Sequence, residues 1–288
     1  MRLAFFLGLI LTLSLPFSIP TALSAAEPEF PRVPQSLSGS TGLLFTESAE
    51  TLAAGKVEVG LGSFRERSSK DPGYTAGEVA PMITFGLPGR LELIARTPYM
   101  YRYERMDEKR SGLRDGSLAL KWRFLDRNSQ LAIPAMAVAL AYHFGAGNKT
   151  EPFRTVDSWG IEARLIASDI IEVYPSVTDI YQFGIYLDGG IFIRDIGGDF
   201  QEKHGRLNLG FLFPVSESRE VQLILEGNGT VKSEFLLEES HVGFTAGVRY
   251  ITAQIHFTGG IQHRFIKSTS QTESRSSDRF VFLTGYLF

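Results

Sequence analysis

Residues 279–288, RFVFLTGYLF, decide how the rest of the chain is read. Successive side chains of an extended backbone point to opposite faces. Phe280, Phe282, Thr284, Tyr286 and Phe288 therefore share one face, and Arg279, Val281, Leu283, Gly285 and Leu287 the other. A terminal segment is ordinarily polar and loosely held unless something ties it down. One this apolar is expected to be a strand, paired along its backbone and turned to an apolar medium on its aromatic side.

The same period of two recurs throughout. HVGFTAGVRY (241–250) sets Val242, Phe244, Ala246, Val248 and Tyr250 against Gly243, Thr245, Gly247 and Arg249. GRLNLGFLF (205–213) and SLALKWRF (117–124) alternate in the same way, and no ten-residue stretch after the leader carries a comparable 3.6-residue stripe. The chain is expected to be all-β, with about twelve strands near 56–65, 78–87, 90–101, 115–125, 130–144, 157–168, 178–194, 204–214, 219–228, 241–250, 252–266 and 279–288. Long polar connections such as RERSSKDPGYTAG and KSTSQTESRSSD alternate with short ones such as LPGR and VSESRE.

That alternation predicts a transmembrane antiparallel up-and-down β-barrel with short periplasmic turns at one end and long extracellular loops at the other. The closing strand pairs with the first and removes the sheet edge, which lipid cannot satisfy by hydrogen bonding. A secreted β-sandwich also alternates, but it presents its polar face outward. Here nearly every strand carries ionisable groups on the face opposite the aromatic one, as a wet lumen requires.

The first 26 residues differ from the rest. Arg2, the apolar run LAFFLGLILTLSLPF and the small residues Ser24, Ala25 and Ala26 predict a cleaved signal peptide over 1–26. Residues 27–55 are then a periplasmic N-terminal lead-in or a small plug, and 56–288 the barrel. The 29 glycines and 22 phenylalanines suit close-packed strands with an aromatic exterior, and the absence of cysteine removes disulfides and thiolate metal sites. A formal net charge of −3 gives no broad attraction to nucleic acid. The expected location is the outer membrane of a Gram-negative bacterium. The expected partners are outer-membrane lipids and lipopolysaccharide, periplasmic chaperones, the barrel assembly machinery and a small-molecule solute.

The terminal Phe288, with Tyr286 and Phe282 at alternate positions before it, resembles the C-terminal signature of bacterial outer-membrane barrels, which implies recognition by the assembly machinery. Several stretches resemble a narrower family, the transporter-like barrels associated with the meta-cleavage pathway of phenol degradation. TGLLFTESAETLAAGKVEVGLG (41–62) is similar to that family's approach to its first strand, and DGSLALKWRFLD (115–126) to its Gly-Asp-Leu-x-Leu-x-x-Lys-Tyr-Arg-Leu-Leu strand. LILEGNG (223–229), HVGFTAGVRY and TGGIQHRF (258–265) are similar to its later strands. The chain departs from the family where His143 to Asn148 replace a Pro-Thr-Gly-Asp loop start, and where Asp188-Gly189-Gly190 replaces Asn before Gly-Tyr. The resemblance implies a transport-like barrel without naming its solute.

If the Phe288 face meets lipid, the opposite face lines the lumen. Candidate lumen residues are Glu58, Glu78, Glu92, Arg96, Lys121, Arg123, Glu162, Arg164, Asp188, Arg194, Arg206, Glu226, Arg249, His256 and Arg264. They could form a charged path for solutes, or pair across strands and fill the interior. The expected function is passive transport of small solutes, with aromatic or amphiphilic compounds suggested by the family resemblance. The alternatives are a non-conducting structural or partner-binding barrel and, further off, a lipid-modifying hydrolase. Such an enzyme needs a serine or aspartate beside a histidine, yet His256 alone lies deep on the lumen face, and His204 and His241 fall at expected loop starts. GAGNKT (145–150) lacks the spacing of a phosphate-binding loop. No cofactor, metal or catalytic residue is indicated. Trp122 and Trp159 are expected at the lipid interface.

Overall fold

Backbone pairing follows the period-two pattern from one end of the barrel sequence to the other. The computed structural model describes residues 33–68, 74–105, 108–145, 159–173, 181–195, 201–216, 218–232, 240–267 and 274–288. The expected export signal, 1–26, and most of GAGNKT lie outside these residues.

The strands are β1 (Val57–Ser68), β2 (Tyr74–Leu87), β3 (Leu91–Arg96), β4 (Tyr99–Arg105), β5 (Glu108–Leu113), β6 (Gly116–Leu125) and β7 (Ala135–Phe144). They continue as β8 (Trp159–Val173), β9 (Tyr181–Asp195), β10 (Gln201–Pro214), β11 (Val221–Lys232), β12 (Ser240–Ile251), β13 (Ile255–Lys267) and β14 (Ser274–Leu287). Each pairs antiparallel with its neighbour. β2 pairs with both β3 and β4, β6 with β3, and β5 with β4, so two staves of the wall are each made of two collinear strands. The breaks fall at Thr97-Pro98, where proline lacks the ladder N–H, and at Arg114-Asp115. Backbone bonds still cross them, from Thr97 N to Pro81 O (3.1 Å) and from Arg114 N to Pro98 O (2.9 Å). The wall therefore has twelve staves.

β1 pairs with β2 on one side and with β14 on the other, in a register that sets Leu61 opposite Thr284 and Phe64 opposite Val281. The sheet is closed, and Phe288 N adds a last bond to Val57 O at 2.8 Å. RFVFLTGYLF is the closing strand, as its pattern predicts.

The outside is apolar. Phe280, Phe282, Phe288, Phe244, Val248, Leu118, Trp122, Leu165, Leu207 and Leu209 are all exposed, on staves around the whole circumference. A soluble monomer rarely exposes a contiguous apolar patch beyond a few hundred Å², whereas lipid accepts a continuous band. Ring pairs gather at the short-turn end, Phe183 with Phe213, Trp122 with Phe124 and Tyr286 with Phe288, in the position of an interfacial girdle. No helix among the described residues is long and apolar enough to cross a membrane, so crossing is by strands.

Pairing differs from the sequence expectation in two ways. Strands run on into polar sequence: Glu66–Ser68 of β1, Tyr74–Gly77 of β2, and most of RYERMDEKRSGLRDG belong to the ladder. A ladder is made by backbone groups and continues past the lipid band without apolar side chains, so alternation marks only its middle. Conversely, β7 begins at Ala135 rather than near 130. Residues Ser129–Leu131 form a single 3₁₀ turn capped by Asn128 Oδ1, which accepts from Leu131 N at 3.1 Å, and Ala132 follows at φ 52°.

All described residues belong to one compact unit, Pro31–Phe288. Within it, 33–52 lie on the inward side of the wall. Gln35, Leu43, Leu44 and Thr46 are fully buried, and the segment folds on itself through isolated bridges between Gln35 and Thr41 and between Gly42 and Glu47.

Candidate functional site

The period that turns aromatic residues outward turns the charged ones inward, so the interior is built by every stave. Glu58 (β1), Glu92 (β3), Lys121 (β6), Glu162 and Arg164 (β8), Asp188 (β9), Glu226 (β11), Arg249 (β12) and His256 (β13) are buried. Arg96, Arg123, Arg206 and Arg264 are partly exposed on the same side. A buried charge is tolerated only when paired and hydrogen-bonded. For many of these residues the partner is the backbone of 33–52.

Wall carboxylates accept the segment's amides. Glu92 Oε1 accepts from Thr41 N (3.0 Å), and its Oε2 from Leu52 N (3.0 Å). Glu226 Oε1 accepts from Phe45 N (2.9 Å) and Thr46 N (2.7 Å), Asp188 Oδ2 from Glu47 N (2.7 Å), and Glu58 Oε1 from Gln35 N (3.2 Å). Wall cations serve its carbonyls: Arg249 Nη2 donates to Gly42 O (3.0 Å) and Leu43 O (3.2 Å), and Lys121 Nζ to Ser48 O (3.2 Å). Lys121 also binds Thr41 Oγ1 and lies 3.3 Å from Glu92. Arg164 pairs with Glu47, and Arg123 with Glu50.

Glycines on the inward face make room for the apolar part of the segment. A Cβ on Gly260 would stand 2.7 Å from Leu44 Cδ1 and one on Gly247 2.9 Å from the same atom, while one on Gly210 would collide with Leu43. Leu44 shares an apolar cluster with Met82, Val281 and Leu283, against which Leu37, Phe45 and Phe64 pack, and Ala49 shares one with Ala135, Ala137 and Ile166.

Towards the long-loop end the interior is less filled. A cavity of about 390 Å³ lies there, with Leu37, Ser38 and Phe45 of the segment among its lining residues. Its walls carry linked ion pairs: Glu78 with Arg96 (2.5 Å) and Arg114 (2.8 Å), Arg194 with Asp115 (2.6 Å), and Arg206 with Glu162 (2.9 Å). Beside it, Glu66 accepts from Tyr74, Ser277, Arg264 and Arg279 at 2.6–2.9 Å, joining β1, β2, β13 and β14.

The structure thus brings the expected lumen residues onto one interior, but in three groups. Glu58, Glu92, Lys121, Arg123, Asp188, Glu226 and Arg249 bind the N-terminal segment or its immediate supports. Arg96, Glu162, Arg164 and Arg206 line the cavity, and Arg264 belongs to the Glu66 cluster. His256 Nε2 lies 3.0 Å from Glu58 Oε1, and its ring covers Gly285, where a Cβ would collide with it. His204 lies inside β10, buried, with its ring 5.6 Å from Phe192, whereas His241 is the second residue of β12, at the strand's start, and meets Arg264 at 3.1 Å. His204 was misplaced because β10 begins at Gln201, ahead of its apolar core. Trp122 faces outward, whereas Trp159 donates to Asp195 at 2.9 Å. Among the described residues no group of three or more His, Asp or Glu could hold a metal ion.

Sequence reasoning missed Glu66, Arg114, Asp115, His143 and Arg279 because they sit in stretches read as loops or at strand ends. It also missed the segment's contribution, which is made largely by main-chain amides and carbonyls that carry no sequence signature.

A closed antiparallel barrel, apolar outside and charged within, has the fold of an outer-membrane β-barrel protein. Neither a protein-family profile nor a curated protein sequence matches the chain. Among solved structures it is similar to an outer membrane channel from Pseudomonas putida F1, at 12% identity over 83% of this chain and 98% of that chain, with a TM-score of 0.63. It is also similar to the translocator domain of the autotransporter NalP from Neisseria meningitidis, at 11% identity over 80% and 87% of the two chains, with a TM-score of 0.46. The first likeness establishes a shared barrel fold.

Proposed function

We propose that the chain is a passive outer-membrane channel for small solutes, in which 33–52 act as a plug that narrows the lumen. The observation that carries this reading is the cavity of about 390 Å³ inside a closed wall, lined by charged groups and meeting the segment. Charged linings select solutes by charge and width. Phe45, Phe64 and Phe192 on the same surface support aromatic or amphiphilic solutes as one class the cavity accommodates. Export by 1–26, contact with lipopolysaccharide, and recognition of Phe282, Tyr286 and Phe288 by chaperones and the assembly machinery belong to the same proposal. Uptake by liposomes holding the purified full chain, compared with empty liposomes, tests it: faster entry of small solutes supports a channel.

A second reading, a non-conducting structural or partner-binding barrel, is favoured by the depth of the segment's ion pairs, above all Glu47 with Arg164. Absence of uptake by verified folded barrels would select it. A hydrolase is disfavoured because His256 sits against Glu58 and Gly285 near the barrel seam.

A further inference from the structure

We infer that the cavity towards the long-loop end binds small organic monocarboxylates, a substrate class that rests on the channel reading for its use in transport.

Among the described residues six guanidinium groups line this cavity, those of Arg96, Arg114, Arg164, Arg194, Arg206 and Arg279, against three acids, Glu78, Asp115 and Glu162. Arg164 and Arg279 have their counter-charges, Glu47 and Glu66, outside the lining. The pairs within the lining are also uneven in depth. Glu78 is 3% exposed, whereas its partners Arg96 and Arg114 are 23% and 40% exposed. Glu162 is 9% exposed and its partner Arg206 27%. At Glu78 and Glu162 the carboxylate stands behind and the guanidinium groups in front, while Arg194 and Asp115 are equally exposed, 19% and 20%, and Arg164 is buried.

A solute in the cavity therefore meets positive charge at shorter range than negative charge. Coulomb energy falls with distance and with the dielectric of the intervening medium, so the nearer guanidinium groups dominate the field. Guanidinium offers paired N–H donors whose spacing matches the two oxygens of a carboxylate. The rest of the lining sets an apolar surface, chiefly Leu37, Phe45, Phe64, Pro98 and Phe192, beside the polar Ser38, Ser63, Ser117 and His143. Arg279 lies 4.3 Å from the centre of the Phe64 ring, so charged and apolar surfaces adjoin. This pairing fits a carboxylate on a short apolar body. The volume is at the lower end of the roughly 300–1,000 Å³ usual for small-molecule sites.

The test uses the folded full chain in detergent, titrated calorimetrically with sodium benzoate and with benzamide, its neutral counterpart of similar shape. Saturable benzoate binding, with benzamide at least about tenfold weaker, is expected, the charge-assisted hydrogen bonds being lost with the charge. Arg114→Gln, which leaves Glu78 its bond to Arg96, and separately Arg206→Gln, should each weaken benzoate several-fold in protein that keeps the heat-dependent gel mobility of a folded barrel. Equal binding of the two compounds, no saturable benzoate binding, or unchanged affinity in both folded variants overturns the inference. Liposome uptake of the same compounds separates the two readings. Benzoate binding without uptake upholds the anion site and refutes the channel; uptake of both at equal rates without benzoate preference in binding refutes the anion site and upholds the channel.

Discussion

Lys121→Met should release the N-terminal segment from the wall. Lys121 and Glu92 are both fully buried, 3.3 Å apart. Removing one member of a buried ion pair costs about 3–5 kcal/mol, because the other is left as an uncompensated charge. Here Glu92 keeps the amides of Thr41 and Leu52, which places the expected cost near the lower bound, about 3 kcal/mol. If that cost falls on docking of the segment, the ratio of seated to unseated forms drops about a hundredfold, at 1.4 kcal/mol per factor of ten. Planar-bilayer recordings of the full chain should then show more frequent and larger openings than the parent protein. Adding Glu92→Gln should recover part of the seated population, since it removes the stranded charge, although its single amide oxygen replaces two carboxylate acceptors for Thr41 N and Leu52 N. A folded Lys121→Met protein with the parent's conductance and open time would refute the argument that this pair holds the segment in the lumen.

Three further outcomes are expected. Phe244→Arg places charge on the lipid side and should lower stability of the inserted barrel by about 2–4 kcal/mol near mid-bilayer, whereas His143→Arg, facing Glu162, should fold normally; equal losses in urea unfolding from lipid vesicles would contradict the assignment of faces. Gly260→Ala should cost about 1–3 kcal/mol by overpacking against Leu44, and combination with Leu44→Ala should be less damaging than the sum of the two single changes; strict additivity in the same unfolding assay would show that the two do not touch. Phe288→Ala should reduce the yield of assembled protein in cells while leaving refolding from urea into detergent nearly unchanged, and parallel losses in both would argue for a purely structural role of that ring.

Alternation in RFVFLTGYLF and HVGFTAGVRY was enough to specify the barrel, its closing strand and its two faces, because lipid demands apolar side chains at every second position. The extent of the strands was not legible. Arg102 and Lys203, both exposed, lie in ladder that runs past the apolar band, where pairing constrains the backbone and not the side chain. Which residues face inward was also readable, but not what they face. Glu92, Asp188 and Glu226 would look the same in sequence whether they met water, a solute or an amide. The segment that supplies those amides shows only a short apolar core, Leu43-Leu44-Phe45, within polar sequence. The arginine-rich cavity depends on which of two paired groups stands nearer the axis, and that relation exists only once the staves are assembled.

Leu44 does more than occupy space. The segment folds back over β1, whose inward glycines Gly60 and Gly62 leave a trough filled by Gln35 and Leu37, and Leu44, against Gly247 and Gly260, joins an apolar cluster with Met82 on β2 and Val281 and Leu283 on β14. It thereby spans the join between the first and last staves from within, as a clasp fastened by the chain itself to one side of that join. Loosening the clasp would free interior space and at the same time weaken the hoop that resists sideways opening, so the filling of the interior and the strength of the wall are tied to one apolar cluster.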